Sequence, residues 1–338
     1  MNWQPLALAL ITLAVCLRAR PIARRLGLMD LPDGRRKIHD RPTPLLGGIA
    51  VMPPVLVMLV WLAATEEVGP LLIGLAGVAL GFSLIGLADD RRHIKPAVRL
   101  GLALVAVLGA VAAVPMLAVD FLKFTWIPLP FFLDWFALPF TLLCVIGLVN
   151  AYNMADGKNG LAIGLGLIWS TLIALHLPDP LLPLAETLIA ALAVAFVFNL
   201  RGQLFLGDAG TYGLGCLFAL LAIYLHGVGF DRLPSDRVML WFLVPVLDCL
   251  RLMGWRVLNG RSPFDSDRGH LHHILFDRMR WRYGLAIYLA LVAAPAFLAE
   301  LHPTRARWWV AIAVLSYLAC LGLRLLPPAA ARARAGDA

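Results

Sequence analysis

Apolar runs of about 16 to 20 residues recur along this chain, and each is close to the length a helix needs to cross a hydrocarbon layer about 30 Å thick. Such a segment must satisfy its backbone hydrogen bonds internally, so only helices or a closed barrel are open to it. Barrel strands would show about ten residues of strict polar and apolar alternation, which these runs lack. The expected class is therefore all-α and polytopic. Eleven spans are expected, near residues 2–17, 46–64, 70–88, 98–118, 133–149, 161–177, 181–198, 210–228, 238–253, 284–300 and 307–326. Pro53 and Pro54 inside the second run should kink it without ending it.

Composition agrees with an integral membrane protein. Of 338 residues, 61% are hydrophobic and 15% charged, with a mean hydropathy of +0.81, whereas a soluble domain is about half apolar and a quarter charged. The five cysteines all sit in apolar runs with no CxxC pair, so they read as small hydrophobes rather than disulfides or a zinc site. The net charge of +8 belongs to loops at a membrane surface and does not argue for nucleic acid.

The first run resembles a secretion signal only in length. No Lys or Arg precedes its apolar core, while Arg18, Arg20, Arg24 and Arg25 follow it. It reads as a retained helix with a cytoplasmic basic end. With the N-terminus outside, the odd-numbered loops and the C-terminal end carry 24 Lys and Arg against five on the other face. That asymmetry places those loops and the C-terminus in the cytoplasm. A single transmembrane domain is expected over 1–327, with a short basic tail over 328–338 read as disordered. The opposite face has short connectors, plus Asp120–Asp134, whose Trp126, Phe131 and Phe132 read as an interfacial aromatic hairpin.

The polar motifs collect on the odd loops: GRRKIHDRPTPLLGG from Gly34, GLADDRRHIKP from Gly86, VNAYNMADGKNGLA from Val149, NLRGQLFLGDAGTYG from Asn199 and GRSPFDSDRGHLHH from Gly260. Adjacent Asp89 and Asp90 repel unless they share a proton or cation, and hard oxygen ligands beside phosphate suit Mg²⁺. They also fit solvated acids neutralised by Arg91 and Arg92. Asp208, bracketed by Gly207 and Gly210 before an apolar helix, fits either a ligand site or a helix N-cap. Asp156 has the same ambiguity. His270, His272 and His273 beside Arg268 suit a diphosphate better than zinc, since no Cys or HExxH accompanies them. A basic loop binding lipid headgroups is the plainer alternative. Lys37 and His39 suit a nucleotide phosphate or simple positive-inside charge. Gly47 and Gly48 fit close helix packing or close approach of a ligand. Asp248 and Arg251 share one helix face, as a local ion pair or part of a polar cleft.

Taken together, the DD pair, NxxNxxDGxxGLA, FLGDAG and SPFDSDRGHLHH, in this order on alternating loops from about Arg35 to His273, resemble the polyprenyl-phosphate N-acetylhexosamine-1-phosphate transferases. HLHH favours the branch that transfers GlcNAc-1-phosphate over the muramyl-pentapeptide branch. The resemblance implies attack of undecaprenyl phosphate on the β-phosphate of a UDP-sugar, with release of UMP, and a requirement for Mg²⁺ or Mn²⁺. It implies Asp208 as a metal ligand and Asp89 and Asp90 beside the metal and the lipid phosphate. Charge positioning suits that pair better than base catalysis, because a phosphate monoester is already largely ionised at neutral pH. It further assigns Asn150, Asn153 and Asp156 to the nucleotide-sugar, and Lys37, Asn199 and Phe205 to phosphate or uracil. Arg268, His270, His272 and His273 would hold the diphosphate or sugar end, with His272 counted among the catalytic groups.

One departure stands out: DGKNG replaces the DGxDG of many relatives, so Asn159 stands where an acid is usual. That leaves the sugar open among GlcNAc, QuiNAc, FucNAc and GalNAc. The expected setting is the bacterial inner membrane, at the first membrane step of a cell-envelope polysaccharide such as O-antigen, with a homodimer as one open assembly. A transporter would place polar groups near the bilayer midplane in repeated halves. Here they gather at one surface and no repeat is visible. A lipid-binding scaffold would not need the acids, glycines and histidines together.

Overall fold

A computed structural model describes residues 3–31, 42–263 and 268–325. Lys37, His39 and the tail over 328–338 lie outside them. Among the described residues the chain is almost wholly helical, with thirteen α-helices and two short hairpins, as an all-α polytopic protein should be. It separates into two compact units, one of residues 1–120 and 133–228, the other of 121–132 and 229–338.

The first unit opens with α1 (Gln4–Leu17) and α2 (Ala19–Leu26). The chain bends by 71° between them, at Arg18. The bend puts Ala19 and Ala23 inward and leaves Arg20, Arg24 and Arg25 exposed, the pattern of a helix lying along an interface. A two-residue hairpin follows, β1 (Met29–Asp30) with β2 (Thr43–Pro44), pairing Asp30 with Thr43. Next come α3 (Gly47–Thr65), α4 (Gly69–Arg92), α5 (Pro96–Ala113), α6 (Ala137–Ala155), α7 (Leu161–Ala174), α8 (Leu182–Leu200) and α9 (Gly207–Gly229). α3 runs through Pro53 and Pro54 without ending.

Among the described residues nine helices are long and apolar enough to span, and the bent α1–α2 pair would be a tenth if it counts as one span. The eleventh expected span, 161–177, is the 14-residue α7. At 1.5 Å per residue it reaches about 21 Å, short of a hydrocarbon core of about 30 Å.

α9 forms the centre of this unit, with 83% of its apolar window buried, against 17% for the lipid-facing α5. Close backbone approach makes that possible. A Cβ on Gly48 would lie 2.3 Å from the Gly210 nitrogen, and one on Gly86 would lie 2.1 Å from the Asp208 carbonyl oxygen. α3 and α4 therefore touch the start of α9 main chain to main chain, which settles Gly48 as a packing glycine.

The second unit holds the hairpin β3 (Phe121–Leu122) with β4 (Phe131–Phe132), in register Phe121 to Phe132. The expected aromatic hairpin is thus formed, and Phe131 and Phe132 are exposed on it. Helices α10 (Ser235–Leu258), α11 (Leu271–Arg278), α12 (Trp281–Leu301) and α13 (Ala306–Gly322) complete the unit. α10, α12 and α13 pack mutually, with Arg237 of α10 in a buried ion pair to Glu300 of α12.

Candidate active site

The acids of the first unit converge on the first turn of α9. A helix start leaves backbone N–H groups without partners inside the helix, and here carboxylates from two other segments take them. Asp156, just past α6, accepts the N–H of Gly207. Asp90, near the end of α4, accepts the N–H of Asp208 at 3.0 Å and that of Ala209 at 3.1 Å. Gly207 sits at φ +71°, and a Cβ there would come within 2.9 Å of an Asp90 oxygen, so glycine suits both the turn and the approach.

Asp208 is consequently not the cap of its helix. Its own carboxylate turns sideways to accept Asn153 Nδ2 at 2.6 Å, and the same amide reaches Thr211 Oγ1 at 3.0 Å. On its other side Asp208 is in hydrogen-bond contact with Asp89. Asp89 is only 3% exposed. Its Oδ1 accepts the Ile94 N–H at 2.8 Å, and its Oδ2 takes a charge-assisted bond from Arg99 and the Tyr212 hydroxyl at 3.2 Å. Arg99 also reaches Tyr212 at 2.8 Å.

Four carboxylates, Asp89, Asp90, Asp156 and Asp208, thus face each other with Arg99 as the paired cation, and Asp30 adds a fifth negative charge within electrostatic reach of Asp90. Burial, then the charge on Asp90, pushes the Asp156 carboxyl up to about 7, with the Gly207 amide pulling the other way. This excess of negative charge fits a divalent cation. Among the described residues no three His, Cys, Asp or Glu side chains are already arranged as a complete metal cage. Mg²⁺ is held by one or two carboxylates joined by waters and substrate phosphates. Asp208, Asp89 and Asp90 are the carboxylates that could hold such an ion, and both oxygens of Asp89 and of Asp90 already accept hydrogen bonds. Those of Asp90 face backbone amides, which makes it the anchor of α9.

The remaining expected residues divide. Asn150 lies one turn before Asn153, and its Nδ2 bonds back to the Ile146 carbonyl at 2.8 Å. Asn199, expected on phosphate or uracil, is instead a buried brace. It accepts the Gly160 N–H at 2.5 Å and donates to the Leu204 carbonyl at 2.7 Å, tying the loop after α8 to the start of α7. Phe205 pairs through its backbone, giving its N–H to the Pro44 carbonyl and accepting the Gly47 N–H, each at 2.9 Å. Its ring is half-buried. Asn159 stands beside the turn at Gly202, with its Nδ2 at 3.5 Å from where a Cβ on that glycine would lie.

Arg99, Tyr212 and Thr211 were not singled out in the sequence. Arg99 was counted only as loop charge. A lone cation in the first turn of an apolar helix is a functional candidate by default, and that signal was available.

The histidine motif belongs to the second unit and is ordered by Asp248. That carboxylate accepts Arg251 at 2.8 Å, the Tyr317 hydroxyl at 3.0 Å, His270 Nδ1 at 2.9 Å and the Leu271 N–H at 3.1 and 3.2 Å from its two oxygens. The Asp248–Arg251 pair is therefore both a local ion pair and the base on which His270 is oriented. The His270 and His272 rings stack at 5.5 Å, and His272 lies 4.2 Å from His273. Arg268 is exposed, 3.5 Å from Asp277.

A family model described as glycosyl transferase family 4 matches residues 72–226, the stretch that carries Asp89, Asp90, Asn153, Asp156 and Asp208. An undecaprenyl-phosphate alpha-N-acetylglucosaminyl 1-phosphate transferase of Yersinia pestis is 30% identical over 81% of this chain and 76% of its own. The chain belongs to glycosyl transferase family 4. The Escherichia coli K12 protein of the same name is also 30% identical, over 83% of this chain and 79% of its own. A probable undecaprenyl-phosphate N-acetylglucosaminyl 1-phosphate transferase of Bacillus subtilis strain 168 is 28% identical over 79% and 75%. This family 4 chain is thus a multi-pass membrane transferase, and the matches reach beyond the first unit into the one that carries the histidines.

Proposed function

We infer that the protein transfers GlcNAc-1-phosphate from UDP-GlcNAc to undecaprenyl phosphate, giving undecaprenyl-diphosphate-GlcNAc and UMP, at the cytoplasmic face of a bacterial inner membrane. This would be the first membrane step of a cell-envelope polysaccharide. The observation that carries the reading is the acid cluster at the start of α9, where Asp208 is held by Asn153 and faces Asp89. Relatives named for this transfer on undecaprenyl phosphate match most of the chain.

A lipid-phosphate oxygen attacks the β-phosphorus, a new P–O bond forms, and the P–O bond to the bridging oxygen breaks. UMP leaves with that oxygen. Such a reaction asks for positioning and charge control more than for covalent chemistry by the protein. Asp90 and Asp156 fix the first turn of α9, and Asn153 fixes the Asp208 carboxylate. Arg99 and Tyr212 hold Asp89. Asp208 and Asp89 would hold a Mg²⁺ ion, which would supply charge neutralisation at the diphosphate and at the leaving UMP. His270, Arg268 and their neighbours supply donors suited to phosphate oxygens. Asn159, which replaces an acid, favours testing other UDP-HexNAc donors alongside UDP-GlcNAc.

Purified protein given undecaprenyl phosphate, Mg²⁺ and UDP-GlcNAc, UDP-QuiNAc, UDP-FucNAc or UDP-GalNAc in turn tests the assignment. UDP-GlcNAc should turn over fastest. A faster donor would change the sugar, and silence with all four would remove the reaction.

A further inference from the structure

Four of the eight residues from Arg18 to Arg25 are arginine, and no acid stands between Arg18 and Met29 in the chain. The bend at Arg18 turns this basic segment away from the axis of α1. Arg18, Arg20, Arg24 and Arg25 are all exposed, and among the described residues none of the four is in an ion pair. Arg24 and Arg25, in the last turn of α2, offset the helix dipole. That does not account for Arg20, one turn before Arg24, because like charges at i and i+4 destabilise a helix. A helix of eight residues also needs support from outside itself, and only Ala19 and Ala23 of α2 are buried. Leu17 and Leu26 are exposed beside the arginines. An arginine-rich helix with exposed leucines, lying along a surface, matches phosphate headgroups above acyl chains.

Main-chain bonds tie α2 to the acid cluster. Gly27, at φ +69°, ends the helix, and the Leu28 N–H returns to the Ala23 carbonyl at 2.9 Å. The Leu28 carbonyl takes the Leu45 N–H at 2.9 Å, and the Pro44 carbonyl takes the Phe205 N–H at 2.9 Å. The Leu206 carbonyl takes the Gly48 N–H at 2.8 Å. Leu28, Leu46 and Leu206 are fully buried along this path. The ladder ends one residue before Gly207, where α9 begins and where Asp90 and Asp156 take its first N–H groups. Three backbone segments therefore lie between the arginines and Asp208, joined by hydrogen bonds at each step.

We propose that α2 is a docking surface for anionic lipid headgroups, and that the docked helix steadies the start of α9 through this ladder. The first half stands on α2 alone, and the second rests on the transfer reaction inferred above. The test places the full chain in nanodiscs of phosphatidylcholine, alone or mixed with phosphatidylglycerol. Wild type is compared with Arg20→Gln, Arg24→Gln and Arg25→Gln combined, and lipids retained after detergent extraction are counted by mass spectrometry. The preference for phosphatidylglycerol should be at least about tenfold stronger in wild type, since each basic residue near an anionic surface is worth roughly fivefold. High salt should shrink the difference, and the same three positions changed to Lys should keep most of it. Equal preference in wild type and the Gln variant overturns the docking. In the same nanodiscs, phosphatidylglycerol should raise wild-type turnover several-fold and leave the Gln variant unchanged, while the two match in phosphatidylcholine alone. Lipid preference without that gain overturns the coupling to α9. A raised KM for UDP-GlcNAc in the Gln variant in phosphatidylcholine would give the arginines to the nucleotide and overturn both halves. If neither form turns over any donor, the coupling falls with the reaction, and the lipid count still decides the docking. Should the triple variant not fold, Arg20→Gln alone, at an exposed position, gives the same comparison at smaller size.

Discussion

The Asp90 carboxylate of α4 accepts the backbone N–H of Asp208 at 3.0 Å, so one aspartate of the site sets the position of another. Asp90→Asn keeps the size but replaces one acceptor with a donor facing the Ala209 N–H. Losing a charge-assisted bond there costs about 1.5–3 kcal/mol. Turnover should fall by roughly 10- to 100-fold, with normal insertion and detergent extraction. Wild-type turnover in the variant would show that α9 does not depend on this anchor.

Asp208→Asn should behave differently. The amide preserves the shape of the contact with Asn153 but removes the negative charge nearest Asp89. The variant should need much more Mg²⁺ for half-maximal turnover, and EDTA should silence the wild type. An unchanged Mg²⁺ dependence would take Asp208 out of the cation site.

Arg99 holds Asp89 together with Tyr212. Arg99→Gln should lower turnover at least about tenfold, because a buried carboxylate left without its cation costs more than the pair contributes. Tyr212→Phe should have a smaller effect, since the Ile94 N–H and Arg99 still hold Asp89. Comparable rates for wild type and Arg99→Gln would make this ion pair a bystander.

Two glycines of α4 separate close packing from flexibility. A methyl group at Gly86 would meet the Asp208 carbonyl at 2.1 Å, whereas one at Gly77 meets nothing within 4 Å. Gly86→Ala should cost about 1–3 kcal/mol and lower both Tm and turnover, while Gly77→Ala should leave both unchanged or slightly raised. Equal Tm for the two variants would contradict the main-chain contact between α4 and α9.

Asp156 gives a pH signature. Its folded pKa is raised from 3.8 to about 7, mainly by burial and then by Asp90. Between those values the folded chain holds a proton that the unfolded chain has released. The stability this contributes is complete below the unfolded value and is lost as pH rises through the folded one. In metal-free buffer, the fall in Tm from about pH 5 to about pH 8 should be shallower in Asp156→Asn than in wild type. Parallel curves would mean that Asp156 titrates at its ordinary value.

The helices and the loops that carry the chemistry were legible because apolar run length and motif order are local properties. DD, NxxNxxDG and FLGDAG all contribute to one end of α9, as their common loop parity suggested. Hydrogen-bond partnership was not legible. Asp208 fitted either a ligand site or a cap, and the carboxylates that take the first N–H groups of α9 are Asp90 and Asp156, from segments distant in sequence. Asn199 looked like a ligand group and is a brace between α7 and α8. The bend at Arg18 was hidden because the amphipathic α2 is only eight residues long and rich in arginine. Gly48 remained ambiguous until the backbone of α9 was seen beside it.

The measurement that bears most directly on the central claim is the nucleotide released when purified protein turns over UDP-GlcNAc with undecaprenyl phosphate. The account predicts UMP in one-to-one ratio with undecaprenyl-diphosphate-GlcNAc, and neither product with Asp208→Asn at the same Mg²⁺. Release of UDP, or equal product from wild type and Asp208→Asn, would contradict it.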